Sequence, residues 1–231
     1  MLKSYTAFDV ETTGLDPQIN EIIEIGALKV RDGKVAGRFM EFIRPKDTIS
    51  GTITNLTGIT NEMVADARSE AEVIPAFLDF CEDDVLIGHN VRFDYSFMKT
   101  GAARCGLSFE KSGIDTLKIA QTALSALPSK SLSDLCAHYQ IENKAAHRAY
   151  HDALATAKLY QTLAHYFEAE YPSLFQPMQL TYKVKKSQPA TEKQIAFLAK
   201  LCRQKHASLA WDPETLSRSE ASRLIDSLLN G

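Results

Sequence analysis

The sequence predicts an α/β protein, a mixed sheet with helices packed on it, and two observations carry that prediction. Three strand-like runs come first, joined by short turns. From about residue 50 onward, helical and strand-like stretches alternate, ending in one long helical pattern over 149–168.

Residues 3–10 (KSYTAFDV) read as the first strand, and Gly14-Leu15-Asp16-Pro17 ends it in a turn. Residues 21–30 (EIIEIGALKV) and 34–43 (KVAGRFMEFI) flank Arg31-Asp32-Gly33, and Asp-Gly is hairpin-turn chemistry. These three strands are expected to form an antiparallel meander. Residues 52–60 read as a helical turn and loop, and Ser69-Glu70-Ala71-Glu72 is a capping box opening a helix to about Cys81. A short buried strand over 84–88 precedes a helix from about Val91 to Ala103. A fifth strand is expected at 112–116, then helices over 117–124 and 131–139. In the long helix, Ala153, Leu154, Ala157, Tyr160, Leu163, Ala164 and Phe167 recur at helical spacing.

Residues 172–190 carry three prolines and no helical period, and read as a linker in which 180–184 could pair as a short strand. Two capping boxes, Thr191–Gln194 and Ser217–Glu220, open two amphipathic helices. The expected organisation is a main α/β domain over 1–171, a linker over 172–190 and a small helical module over 191–231.

At 231 residues, 45% hydrophobic and 24% charged, the chain can bury a substantial core. No apolar run approaches the roughly 18–20 residues of a membrane span, and no signal-peptide pattern is present. The four cysteines lie far apart without metal or disulfide-framework spacing, so a reduced, cytoplasmic protein is expected. The net charge of −3 hides an asymmetry: nine basic and five acidic residues lie from Pro177 onward, and 17 basic and 24 acidic before it. An acidic body with a basic tail suits an anionic partner that approaches the body through metal ions or through the tail.

Chemistry concentrates in three places. In Ala7–Gly14, strand alternation puts Asp9 and Glu11 on one face and Phe8 and Val10 on the other. Two adjacent carboxylates on a core strand repel each other and lose hydration, and a hard divalent cation is the natural compensation. Asp94, in His89-Asn90-Val91-Arg92-Phe93-Asp94, falls in the first turn of its helix. Asp152, in His147-Arg148-Ala149-Tyr150-His151-Asp152, falls near the start of the long helix. Taken singly, each is an ordinary place for an Asp. Together they give four carboxylates and a histidine at strand ends and helix starts.

These residues resemble the DEDDh 3′–5′ exonucleases, the DnaQ-like proofreading nucleases with an RNase H-like fold. The matching segments are FDVETTGL (8–15), IIEIGALKV (22–30), LTGIT (56–60), IGHNVRFD (87–94), IDTLKIA (114–120) and HRAYHDALAT (147–156), spread over residues 3–168. The resemblance implies a five-stranded RNase H-like sheet, an antiparallel meander continued by parallel strands. It implies that Asp9, Glu11, Asp94 and Asp152 hold two divalent cations, Mg²⁺ or Mn²⁺. His147, five residues before Asp152, takes the place of the general base; His151 is the competing imidazole. The sister branch has tyrosine four residues before its last Asp, where this chain has Arg148.

The resemblance also implies release of nucleoside 5′-monophosphates from 3′ ends. Thr12, Thr13, Gly14 and Leu15 are expected beside the terminal nucleotide, with Asn90 and Phe93 as further substrate contacts. Single-stranded DNA is the expected substrate, for a stand-alone enzyme or for a partner of a DNA polymerase or another protein of DNA metabolism. An RNA-trimming exonuclease is the alternative within the family. A non-catalytic nucleic-acid-binding scaffold is the alternative from another class, and it would lack a ligand.

Overall fold

The computed structural model describes residues 1–143, 146–184, 188–207, 211–214 and 216–230. The chain divides into two compact units: Met1–Leu15 with Glu21–Tyr182, and Asp16–Asn20 with Lys183–Gly231.

In the first unit, β1 (Tyr5–Thr12), β2 (Ile22–Arg31) and β3 (Lys34–Phe42) form the antiparallel meander, turning at Asp32-Gly33, both with positive φ. After α1 (Gly51–Thr57), α2 (Asn61–Val64) and α3 (Glu70–Cys81) the chain returns as β4 (Leu86–Gly88), parallel to β1. It then passes through α4 (Val91–Arg104) to β5 (Ser112–Asp115), parallel to β4. Helices α5 (Thr116–Ala123), α6 (Leu132–His138) and α7 (Ala149–Phe167) follow. The sheet order is β3-β2-β1-β4-β5-β6.

The sixth strand, β6 (Met178–Gln179), extends the expected five. It pairs antiparallel with Ser112–Gly113, slightly before the 180–184 stretch that the sequence offered for pairing. Leu180 is instead buried in the core, and a Cβ on Gly113 would lie 2.8 Å from its Cδ1. A 3₁₀ turn at Pro172–Phe175 precedes β6, with Phe175 buried, so the first part of the expected linker packs on the sheet.

Strand alternation divides the core into two faces. Phe8, Val10, Ile25 and Ala27 pack with Phe77 of α3 and Tyr95 and Phe97 of α4. Tyr5, Ala7, Leu28 and Val30 pack with Ala153, Leu159, Tyr160 and Leu163 of α7. Odd-numbered positions of β1 therefore face α7, and Asp9 and Glu11 are odd. The parity of one strand sends the carboxylate pair toward the long helix.

In the second unit, α8 (Glu192–Gln204) and α9 (Arg218–Asn230) enclose a small core of Leu198, Leu216 and Ala221, with Trp211, Cys202, Leu224 and Ile225 against it. Both capping boxes form: Thr191 Oγ1 accepts from Gln194 N, and Ser217 Oγ from Glu220 N. Among the described residues no helix is long and apolar enough to cross a membrane.

Candidate active site

Asp9, Glu11 and Asp152 each present a carboxylate oxygen within 4.8 Å of the others. Asp9 and Glu11 are half-buried at the end of β1, and Asp152 is buried in the first turn of α7. Gly26 makes this approach possible. It pairs with Asp9 across β1–β2, and a Cβ there would lie 1.9 Å from the Tyr150 backbone N. Only a residue without a side chain lets the first turn of α7 rest directly on the sheet at that point.

Glu24 fixes the same helix end. It is buried opposite Glu11 in the strand register. Its carboxylate accepts from Ala149 N at 3.1 Å and from Arg148 Nη2 at 3.0 Å, with Nε also in reach. The carboxylate thus binds an unpaired N–H at the helix start and a guanidinium together, the strong form of a charge-assisted contact. Asp152 accepts from Asn143 Nδ2 and His147 N, both at 2.7 Å.

Asp94 stands outside that three-carboxylate group. It is buried on α4, and its Oδ1 accepts from Val10 N at 3.1 Å. Strand β4 pairs with β1 only at Thr6 and Ala7, so past that point the β1 edge has no strand partner and Asp94 supplies one. Asp94 is nevertheless close enough to act on Asp9 electrostatically.

Burial first, and repulsion second, show in the protonation of the site. Burial holds the Asp9 carboxyl well above the usual range, reinforced by Asp94, Glu11, Asp152 and Glu24. Burial, then Asp152 and Glu24, pushes Glu11 up to about 8, against the lowering effect of Arg148. Burial raises Asp94 and Asp152 too, opposed in each by the hydrogen bonds they accept. An all-oxygen donor set whose members suppress one another's ionisation fits a hard divalent cation, which would favour the ionised forms.

Among the other expected residues, His147 is exposed, with φ 62°, in the loop entering α7. His151 is half-buried with its ring edge-on to Tyr150. In the β1 turn, Thr12 Oγ1 donates to Gly14 O at 2.6 Å and Thr13 Oγ1 accepts from Glu21 N at 2.9 Å. Thr13 N–H is committed to Glu21 O, so it serves the turn, whereas Leu15 is 84% exposed. Asn90, with φ 66°, begins α4 and donates its N–H to Asp115. Phe93 is half-buried against Phe97, with ring centroids 5.0 Å apart. His89 is structural: burial lowers its pKa, and its two nitrogens bond Thr116 Oγ1 and Lys130 O. The sequence gives no sign of the roles of Glu24, Gly26 and Asn143, and it marks Arg148 only as standing where the sister branch has tyrosine.

The clustered carboxylates of a strand end and a helix start thus sit on a mixed sheet between helices, an RNase H-like fold. The family follows from the sequence comparison. The Exonuclease family of the RNase T type matches residues 6–160, and the chain belongs to it, with the DnaQ-like, DEDDh pattern of residues.

The chain is 41% identical over 156 residues to "DNA polymerase III PolC-type" of Caldanaerobacter subterraneus subsp. tengcongensis, covering 68% of this chain and 11% of that protein. The protein of the same name from Oceanobacillus iheyensis aligns at 34% over 242 residues, covering 99% of this chain and 17% of the relative. This chain therefore spans under a fifth of the length of these curated relatives. Among solved structures, Exonuclease X in complex with 5′ overhanging duplex DNA superposes with a TM-score of 0.57 at 26% identity, over 70% of this chain and 92% of that one. E. coli Exonuclease I in complex with a dA16 oligonucleotide shares the fold, with a TM-score of 0.63 at 22% identity over 75% of this chain and 42% of its own.

Proposed function

We propose that the chain removes nucleoside 5′-monophosphates from the 3′ end of single-stranded DNA in a reaction that requires divalent cations. The observation that carries this reading is the convergence of Asp9, Glu11 and Asp152 within 4.8 Å. Asp94, which raises the Asp9 pKa, stands as the fourth carboxylate of the proposed site. These four side chains would hold two Mg²⁺ or Mn²⁺ ions, which when bound supply charge stabilisation to the attacking and leaving oxygens of an in-line displacement.

His147 takes the proton of the attacking water. Its exposed position, and its backbone N–H on Asp152, support that role. Water oxygen bonds to phosphorus, the bond to the 3′ oxygen of the preceding nucleotide breaks with its electron pair going to that oxygen, and a proton from solvent makes it the new 3′ hydroxyl. Leu15, the most exposed large apolar residue of the β1 turn, would lie against the terminal base. DNA is favoured because the relatives are named as DNA polymerases and the two structural neighbours described above hold DNA, and proofreading for a polymerase is the corresponding biological role.

A 5′-labelled single-stranded DNA oligomer and its RNA counterpart, each incubated with Mg²⁺ or with EDTA, test this reading. DNA shortened stepwise from its 3′ end in Mg²⁺ alone is expected. Equal shortening in EDTA, or faster shortening of RNA, contradicts it.

A further inference from the structure

The second unit carries charge of the opposite sign to the first, and α8 concentrates it. Leu198 and Leu201 of α8 are buried, and Ile195 and Cys202 are half-buried on the same side. Lys193, Phe197, Lys200 and Arg203 are exposed, at steps of four, three and three residues, so they share the outer face. Phe197 is 42% exposed, and Lys205 is exposed just beyond the helix end. Glu192, in the first turn, is the sole acidic residue of α8, and among the described residues none of these cations is in an ion pair.

We propose that this face of α8 binds single-stranded nucleic acid, with Lys193, Lys200 and Arg203 on successive phosphates and Phe197 stacked on a base. The nature of the partner rests on the exonuclease reading given above. The three cations span about 15 Å along the helix, a line of charge that suits a polyanion rather than a single small anion. An aromatic ring placed between them adds a sequence-tolerant stacking platform. A lipid surface would call for a broad apolar face, whereas this one offers a single large apolar side chain. The acidic unit repels a polyanion wherever its carboxylates are not neutralised. A cationic face on the same chain raises the effective concentration of the strand without adding contacts at the carboxylate cluster.

Fluorescence anisotropy of the full-length protein with a labelled 20-nucleotide single-stranded DNA, in EDTA so that no hydrolysis intervenes, tests the proposal. Replacing the three cations together (Lys193→Gln, Lys200→Gln, Arg203→Gln) is expected to weaken binding about tenfold or more at low salt. It should also flatten the slope of log K against log salt by about 2, given about 0.7 per phosphate contact. Phe197→Ala is expected to weaken binding about tenfold with the slope unchanged, and Phe197→Tyr to restore it. All four side chains are exposed, so the variants should fold, and an unchanged circular dichroism melt verifies this. Wild-type affinity and slope in the triple variant overturn the proposal. So does loss of binding to phosphatidylserine vesicles alone, with DNA binding intact. Because the assay reads binding without turnover, a protein that binds through this face but never shortens a 3′ end would defeat the proposed function and leave this inference standing.

Discussion

The two helix-borne arms of the acidic site use the same local device with different supports. Each helix is entered through a non-glycine residue in the left-handed region, Asn90 before α4 and His147 before α7. Each carries an aspartate in its first turn whose carboxylate accepts a backbone N–H. On the α4 side the donor is Val10, in the strand that carries Asp9 and Glu11, so Asp94 is tied to its neighbours through the core. On the α7 side the donors are His147 and Asn143, in the loop, and the helix end depends on Gly26 and on the Glu24–Arg148 pair. One arm inherits its position from the sheet, and the other from a close approach between elements more than a hundred residues apart. Perturbing the second should therefore displace a carboxylate and the histidine together while leaving Asp94 in place.

The sharpest break of this comparison is Gly26→Ala. The added Cβ meets backbone at 1.9 Å, so α7 must lift from the sheet. An activity loss of at least about 100-fold is expected, since a shift of about 1 Å from productive geometry costs that much. At Gly88, on the α4 side, an added Cβ meets the Val91 side chain at 2.9 Å. Gly88→Ala should therefore cost less activity for a similar drop in melting temperature. Parallel assays and melts of the two variants check this, and equal losses at the two positions would erase the distinction between the arms.

A second pair of variants separates chemistry from backbone at His147. His147→Ala should slow hydrolysis by about 10²–10⁴-fold, the usual contribution of a general base. His147→Gly removes the same imidazole but suits φ 62°, so it should be as slow yet melt higher. Recovery of the rate by glycine would mean that the position serves only the turn. A near-wild-type rate for His147→Ala beside a severe loss for His151→Ala would transfer the role to the neighbouring imidazole.

The smallest expected effect is in pH. The folded Glu11 carboxyl sits at about 8, above its ordinary value of 4.5, and Asp9 is also raised. The folded state then holds more protons than the unfolded state, so stability declines as pH rises between those two values. In EDTA, the melting temperature should fall from pH 5.5 to pH 8, and Asp9→Asn should flatten the decline. A melting temperature that rises over that interval contradicts the raised pKa values that burial and repulsion together impose.

The sequence made one arm more legible than the other, for a physical reason. The parity of β1, the Asp32-Gly33 hairpin and the first-turn positions of Asp94 and Asp152 are local patterns, readable from neighbours in the chain. Glu24 and Gly26 lay inside a strand whose β character was plain, but their roles depend on Arg148, Ala149 and Tyr150, which no local pattern brings near. Helix α2 is a four-residue turn capped by Thr60, too short for a periodic signal. Strand β6 is two residues long, placed by burial of Leu180 more than by propensity. Lys144 and Ala145, between Asn143 and His147, lie outside the described residues, as do Lys185 and Lys186 of the basic stretch.

The central claim is that the mutual repulsion of these carboxylates is relieved by divalent cations. Isothermal titration of the metal-free protein with Mn²⁺, beside Asp9→Asn and with folding verified by melting, tests it most directly. Saturable binding in the wild type, with proton release that grows as pH falls below 8 and with loss of affinity in Asp9→Asn, is the predicted result. No saturable binding, or equal binding by the two proteins, would contradict it.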